Sequence, residues 1–147
     1  MRWRFVDRID GFEPWVSARG RKSISLEEYS LLEPFGRKGI FPETLALESC
    51  VHLARWLVVR SSGFQNGCLI SGVDDFVFRD EVGMGDTLDV NVVVLKKDEK
   101  TIQVGCEATH GRQSVCQGTL TLDLITLKDI LDPEPLIALW QELYGKA

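Results

Sequence analysis

The sequence contains few cysteines and histidines and no long apolar run, which leaves little material for disulfides, metal sites or membrane spans. Its 147 residues include four cysteines and two histidines, and no C-x-x-C pair or other metal-ligand spacing occurs among them. No apolar run reaches the length that a membrane-spanning helix needs, and the first residues lack the apolar core of a signal peptide. We therefore expect a cytoplasmic protein. Its cysteines, of which Cys50, Cys68 and Cys106 stand among apolar or small residues, should be reduced and lie in or near the core.

Basic residues are also fewer than acidic residues. Lys and Arg number 17 against 22 Asp and Glu, which gives a net charge of −5. Nucleic-acid binding needs a basic face, so this balance argues against it. The basic residues that do occur form two clusters, Arg19, Arg21 and Lys22, then Arg37 and Lys38. Such clusters are usually solvated loops, although they can also attract a small acidic partner.

Motifs for cofactor binding and for nucleophilic catalysis are missing. The sequence has no glycine-rich phosphate loop and no cluster of metal ligands. Neither Ser49 nor Cys50 belongs to a recognisable triad motif. The sequence therefore indicates no cofactor and no metal.

Length and composition predict a single domain over residues 1–147, since 44% of the residues are hydrophobic and 27% are charged. The segment 2–9 is expected to form a short helix or strand, and 15–25 a strand with a basic solvent side. A long central helix is predicted from Thr44 to about Arg60, with Pro42 before it and Ser61, Ser62 and Gly63 after it.

The second half of the sequence is typical of antiparallel strands. Apolar and polar residues alternate, and short polar connections suit hairpins. A last helix, over about 133–144, should start after Asp132 and dock by an apolar face. The fold class is therefore α+β, a central helix followed by an antiparallel sheet. The four predicted strands cover residues 68–78, 88–95, 101–109 and 113–125.

A narrow polar stripe runs along the otherwise apolar central helix. At 100° per residue, Thr44, Glu48, His52 and Arg55 fall on one side. The stripe either faces water, as in most surface helices, or lines a cleft. In a cleft, a hydrogen bond from His52 would orient the carboxyl of Glu48, and the pair would suit general acid–base catalysis. The spacing alone does not choose between these interpretations.

Five segments resemble, in order, motifs of the beta-hydroxyacyl-acyl carrier protein dehydratases, the hotdog-fold enzymes of bacterial fatty acid synthesis. Together they span almost the whole chain and leave only the C-terminal helix outside. The five segments are FVDRI (5–9), EPF (33–35), FPETLALES (41–49), SGVDDFVF (71–78) and VGMGDTLDVNVVVLK (82–96).

The resemblance implies a hotdog fold, in which an antiparallel sheet wraps a long helix, and a homodimer or a larger assembly of dimers. It implies that an acyl chain arrives on the phosphopantetheine of acyl carrier protein and enters a tunnel beside the helix. Glu48 matches the acid that protonates the departing hydroxyl. Phe41, Pro42, Glu43 and Gly72 match positions around the substrate, where the backbone N–H of Glu43 could donate to the thioester carbonyl. The two basic clusters would receive the acidic carrier protein.

The segment before the helix departs from the family pattern. In the family, a longer HFPG loop carries the histidine that removes the α-proton. Here only GRKGI separates EPF from FPE, and Gly39 or Ile40 falls near that position. His52 stands where the family commonly has a glutamine that orients the helix carboxyl. His110, in THGRQ, is expected at the surface in a hairpin turn.

Three interpretations of His52 stay open. It orients Glu48, it serves as the base, or the site binds without chemistry. The corresponding functions are an enzyme that dehydrates acyl thioesters or hydrates them in reverse, and a non-catalytic protein that binds carrier protein or partners a complete dehydratase. Hotdog thioesterases form a third class, from which EPF and GVDDF point away.

Overall fold

In the described part of the chain, six antiparallel strands form one sheet that packs against the predicted long helix. The computed structural model describes residues 5–25 and 40–144. The sheet has the strand order β1-β2-β4-β5-β6-β3, so β1 and β3 are its edges. The strands are β1 (Arg8–Glu13), β2 (Ser17–Ser23), β3 (Asn66–Phe78), β4 (Thr87–Lys97), β5 (Thr101–His110) and β6 (Gln113–Thr126). The helices are α1 (Glu43–Ser61), a 3-10 turn (Leu127–Asp129) and α2 (Glu134–Leu143).

Helix α1 confirms the central helix to within one residue at each end. Pro42 occupies its N-cap, and the chain leaves the helix through Gly63, whose φ of +64° is a conformation that glycine adopts without strain. Leu53 and Leu57 are fully buried between α1 and the sheet. The helix therefore supplies one side of the core.

The four predicted C-terminal strands are confirmed with small shifts at their ends. The alternation is clearest in β5, where Ile102, Val104, Cys106 and Ala108 are all buried and the residues between them are more exposed. Strand β3 is the irregular one, since its pairing with β6 shifts register twice along its length. The observed class is α+β, as the sequence predicts.

Helix α2 docks on α1 and β1, as its apolar face predicts. Trp140 is buried, with its ring centroid 5.7 Å from that of Trp56 and 5.3 Å from that of Phe12. At the start of the helix, Oδ1 of Asp132 accepts the N–H of Glu134 at 3.1 Å. The aromatic contacts hold the last helix against the body of the domain.

The N-terminal part of the chain differs from the sequence prediction in two respects. Strand β1 begins only at Arg8, so Phe5 precedes it rather than belonging to it. Lys22 is buried, with only 3% of its surface exposed, whereas the sequence predicted a basic solvent side. The reason is the alternation of β2, because a Cβ on Gly20 would lie 3.4 Å from Leu53 and Lys22 shares that inward face.

All four cysteines are buried and free, which confirms their predicted place in the core. Within residues 5–25 and 40–144, no helix is both long and apolar enough to cross a membrane.

Candidate functional site

Helix α1 places Glu48 and His52 side by side, one turn apart. Nε2 of His52 lies 3.7 Å from Oε2 of Glu48, which is longer than a hydrogen bond. The hydrogen bond expected from the spacing is therefore not formed. Oε2 of Glu48 is itself buried and has no hydrogen-bond partner within the described residues. Buried polar atoms are normally paired, so this oxygen is unusual.

The imidazole of His52 is covered by the ring of Phe5. The two ring centroids are 4.8 Å apart, and 35% of the His52 side chain remains exposed. Burial lowers the pKa of His52 from its ordinary value of 6.5. The charge of Glu48 opposes this effect and that of Arg55 adds to it. His52 is therefore neutral at pH 7 and has one ring nitrogen free to accept a proton.

The polar stripe of α1 changes character along its length. Thr44 and Arg55 are exposed, whereas Glu48 and His52 are half-buried. In this single chain the stripe neither faces water throughout nor lies in a closed tunnel. The middle of the stripe is the sheltered part, and it carries the two groups capable of proton transfer.

An apolar cavity of about 580 Å³ opens beside His52. One wall is a face of α1, because residues spaced by three, four and seven positions share one side of a helix. The part of the wall formed by the C-terminal segment was not predicted from the sequence, although the apolar face of the last helix was a signal for it. The walls are formed by His52, Arg55, Trp56 and Val59 of α1, by residues 5–6, by residues 67–69 and by parts of the segment 127–143.

The four predicted substrate-binding residues do not line this cavity. Phe41 is buried, and its N–H donates to a backbone carbonyl of the segment before β4 at 2.7 Å. Pro42 caps α1 without a side-chain hydrogen bond, and Glu43 is the exposed first residue of the helix. Gly72 lies in β3 opposite Thr121, at a shift in register. Their role in binding stays a prediction.

The predicted docking cluster is only partly basic at the surface. Arg19 and Arg21 are exposed on the outward face of β2. Nε of Arg21 lies 3.1 Å from Oδ2 of Asp10 and 3.8 Å from Oδ1 of Asp89, so part of its charge is balanced. Lys22 is buried on the opposite face. The second cluster, Arg37 and Lys38, lies outside the described residues.

His110 ends β5 instead of lying in the turn itself. Its Nδ1 lies 3.0 Å from the carbonyl oxygen of Thr87 and therefore donates to it. Its Nε2 lies 3.6 Å from Oδ1 of Asp86, and 43% of the side chain is exposed. Among the residues that the structure describes, no cluster of three or more His, Cys, Asp or Glu side chains could hold a metal ion.

The same architecture occurs in solved structures. The hot-dog-like protein from Thermanaerovibrio acidaminovorans superposes with a TM-score of 0.66 at 12% identity, over 92% of this chain and 96% of that one. The smu.793 protein from Streptococcus mutans UA159, solved bound to acetyl CoA, gives a TM-score of 0.65 at 15% identity, over 81% of this chain and 88% of that one. These similarities confirm the predicted hotdog fold.

The relatives found by sequence comparison are dehydratases that carry the same name. No protein-family model matches the chain. The 3-hydroxyacyl-acyl-carrier-protein dehydratase FabZ of Levilactobacillus brevis is 28% identical over 126 residues, which cover 85% of each chain. The FabZ of Pediococcus pentosaceus is 30% identical over 118 residues, covering 80% of this chain and 79% of the relative. The chain therefore belongs to the FabZ family of 3-hydroxyacyl-acyl-carrier-protein dehydratases.

Proposed function

We propose that this protein converts 3-hydroxyacyl thioesters of acyl carrier protein into 2-enoyl thioesters by removing water, or catalyses the reverse hydration. The observation that carries the proposal is the Glu48–His52 pair, half-buried and 3.7 Å apart beside an apolar cavity. The relatives are named for acyl-carrier-protein substrates, which supports this substrate class.

Dehydration needs one group that takes a proton and one that gives a proton. A base removes a proton from C2 of the acyl chain, the C2–C3 double bond forms, and an acid protonates the hydroxyl that leaves C3 as water. The two reacting carbons are neighbours, so the base must reach C2 while the acid reaches the hydroxyl on C3. In this scheme the carboxyl of Glu48 supplies the proton to the leaving hydroxyl, and the neutral imidazole of His52 takes the proton from C2. A proton returning from His52 to Glu48 would restore the pair for the next cycle.

The geometry favours His52 as a base over an orienting residue. Orientation of Glu48 would require a hydrogen bond, and the 3.7 Å separation is too long for one. The lowered pKa of His52, caused mainly by burial, keeps the imidazole neutral at pH 7. The other histidine, His110, is held at the end of β5 by Thr87. His52 is thus the candidate for the role of the family histidine.

The alternative is a non-catalytic partner of a complete dehydratase. Oε2 of Glu48 is buried without a hydrogen-bond partner in the described part of the chain. The rest of the Glu48 side chain is 42% exposed, so a second protein could contact the carboxyl and reorient it toward a donor of its own. In that case the chain lends its helix carboxyl, and the partner subunit supplies the base.

We also propose a homodimer and a carrier-protein surface. Strand β3 is an edge of the sheet and carries the exposed apolar side chains Leu69, Val73 and Val77. An exposed apolar edge is suited to pairing with a second copy. Arg19 and Arg21 remain the candidates for contact with the acidic carrier protein.

The test is an assay with 3-hydroxyacyl and 2-enoyl thioesters of carrier protein, followed by mass spectrometry. Glu48→Gln and His52→Gln should each lower the rate about 10²- to 10⁴-fold, as loss of a general acid or base does. His110→Gln is the matched control and should keep the wild-type rate. If Glu48→Gln lost activity and His52→Gln kept it, His52 would be rejected as the base. A wild-type protein that binds carrier protein without turnover would support the partner role.

A further inference from the structure

The cavity beside His52 has an outer wall that lies outside the family resemblance. The C-terminal segment, residues 127–143, contributes Leu127, Ile130, Leu131, Leu136, Leu139 and Leu143 to the lining. Leu136, Leu139 and Leu143 follow the spacing of one helical face, which α2 turns toward α1. The cavity volume of about 580 Å³ falls in the range of small-molecule pockets, about 300–1,000 Å³.

The lining selects for an apolar ligand with one polar end. His52 and Arg55 are the only strongly polar side chains among the described residues that line the cavity. A sugar or nucleotide would lose hydrogen bonds to water here without replacing them. An unbranched aliphatic chain loses none, and its burial is favourable.

The cavity extends along α1 and is bounded by the C-terminal segment. Along α1 its lining runs from His52 to Val59, and seven residues of helix rise about 10 Å. On the opposite side the walls meet closely, because a Cβ on Gly67 would lie 3.1 Å from Cδ1 of Leu127 and 3.4 Å from Cδ1 of Ile130. On that side the C-terminal segment closes the wall of the cavity.

We propose that the C-terminal segment, the wall of this cavity that lies outside the family resemblance, sets the length of the acyl chain that the protein accepts. The inference rests on the proposed function for the identity of the thioester. The chain lies along α1 with its reactive carbons at His52 and its tail against Leu136 and Leu139. The length of the lined face of α1 fits an octanoyl chain better than a hexadecanoyl chain.

The first experiment measures kcat/KM for butanoyl, octanoyl and hexadecanoyl substrates. Leu136→Ala lengthens the cavity and should raise the hexadecanoyl-to-octanoyl ratio about tenfold, since one methylene in an apolar pocket changes discrimination by about 10-fold or more. Leu139→Phe should lower the octanoyl-to-butanoyl ratio. Leu95→Ala, at a leucine 59% exposed and outside the cavity lining, is the matched control. Equal changes at all chain lengths in the two cavity variants would overturn the proposal.

A second experiment measures binding without turnover. Trp56 lines the cavity, so 8-bromooctanoate should quench tryptophan fluorescence, and Trp56→Phe should remove much of the quenching. Quenching in a protein that turns over no thioester would keep the cavity as an aliphatic site and reject the proposed function. Turnover without quenching, or quenching unaffected by Trp56→Phe, would reject the cavity as the chain site and leave the function standing.

Discussion

The ring of Phe5 lies against the imidazole of His52, with centroids 4.8 Å apart and planes tilted by 46°. Phe5 is held there by the residues that follow it. Oδ2 of Asp7 accepts the N–H of Ser23 at 2.7 Å and lies 3.7 Å from Nζ of Lys22. The inward-facing Lys22 thus helps fix the segment that shelters the candidate base. The N-terminal segment and α1 therefore both shield His52 from water.

Removing this shelter should change the protonation of His52. In Phe5→Ala, water reaches the imidazole, the cost of charging it falls, and the pKa of His52 should rise toward 6.5. NMR of the imidazole carbon-bound protons across pH 4 to 9 measures the change. The signals of His110 serve as the internal reference and should be the same in both proteins. An unchanged titration of His52 would show that Phe5 does not shelter it.

The half-buried His52 should make the wild-type protein sensitive to acid. Its pKa is lowered on folding, so between that lowered pKa and 6.5 the unfolded chain binds more protons than the folded one. The free energy of unfolding therefore falls as pH drops through this window and is independent of this group above it. Urea unfolding of wild type and His52→Gln should show the stability difference shifting in favour of the variant on acidification. A difference that is constant with pH would contradict the lowered pKa.

Substitution by alanine should have different effects on stability at two glycines in neighbouring strands. At Gly118 in β6, a Cβ would overlap the ring of Phe76, with Cγ only 2.6 Å away. Gly118→Ala should cost about 1–3 kcal/mol, the usual penalty of overpacking. At Gly105 in β5, the nearest atom to a Cβ would be Cδ1 of Leu95 at 3.5 Å, an ordinary contact. Gly105→Ala should be neutral or slightly stabilising in urea unfolding, and equal losses at both sites would be against this account.

The anchor of α2 should depend on Trp140 more than on the cation beside it. Trp140 is 93% buried, and its truncation to Ala should cost about 3–5 kcal/mol. The guanidinium of Arg60 lies 5.8 Å from the ring centroids of both Phe12 and Trp140. Arg60→Met keeps much of the packing and should cost only about 0.5–1 kcal/mol, and Arg60→Lys less. Thermal and urea unfolding measure the stability of the three variants. A larger loss of stability in Arg60→Met than in Trp140→Ala would show that Arg60, and not Trp140, is the main anchor of α2.

The thiol in the cavity should react slowly in the native protein. Burial raises the pKa of Cys68 to about 11, so little thiolate exists at pH 8. Cys50 and Cys116 have raised pKa values too, chiefly through hydrogen bonds between thiols and then through burial. Labelling of the native protein with a disulfide reagent at pH 8 should be slow. After denaturation, all four cysteines should react rapidly. Rapid native labelling of Cys68 at pH 8 would contradict its burial.

Local patterns in the sequence were sufficient for most of the fold. The alternation of Ile102, Val104, Cys106 and Ala108 predicts β5. The apolar residues on most sides of the segment between Pro42 and Gly63 predict α1. The two patterns differ because strands and helices bury residues at different periods. The burial of Lys22 was not predictable from its charge. Its position in the alternation of β2 outweighed the usual preference of lysine for the surface.

The candidate site was predictable only where it lies on one element. Glu48 and His52 are four residues apart on α1, so helical geometry alone brings them together. Phe5 and the leucines of the C-terminal segment reach the same place through tertiary packing, and nothing in their local sequence specifies that contact. Helical spacing places Glu48 and His52 on the same side of α1 but does not fix the distance between their side-chain atoms, which at 3.7 Å is longer than a hydrogen bond.

The cavity is assembled from stretches of chain that are far apart in sequence. Glu48 and His52 belong to α1, whereas Leu136 and Leu139 belong to α2. Substitutions in α2 can therefore reshape the cavity while Glu48 and His52 keep their places on α1. The shape of the cavity and the polar pair beside it can thus be changed independently, each by substitutions in a different helix.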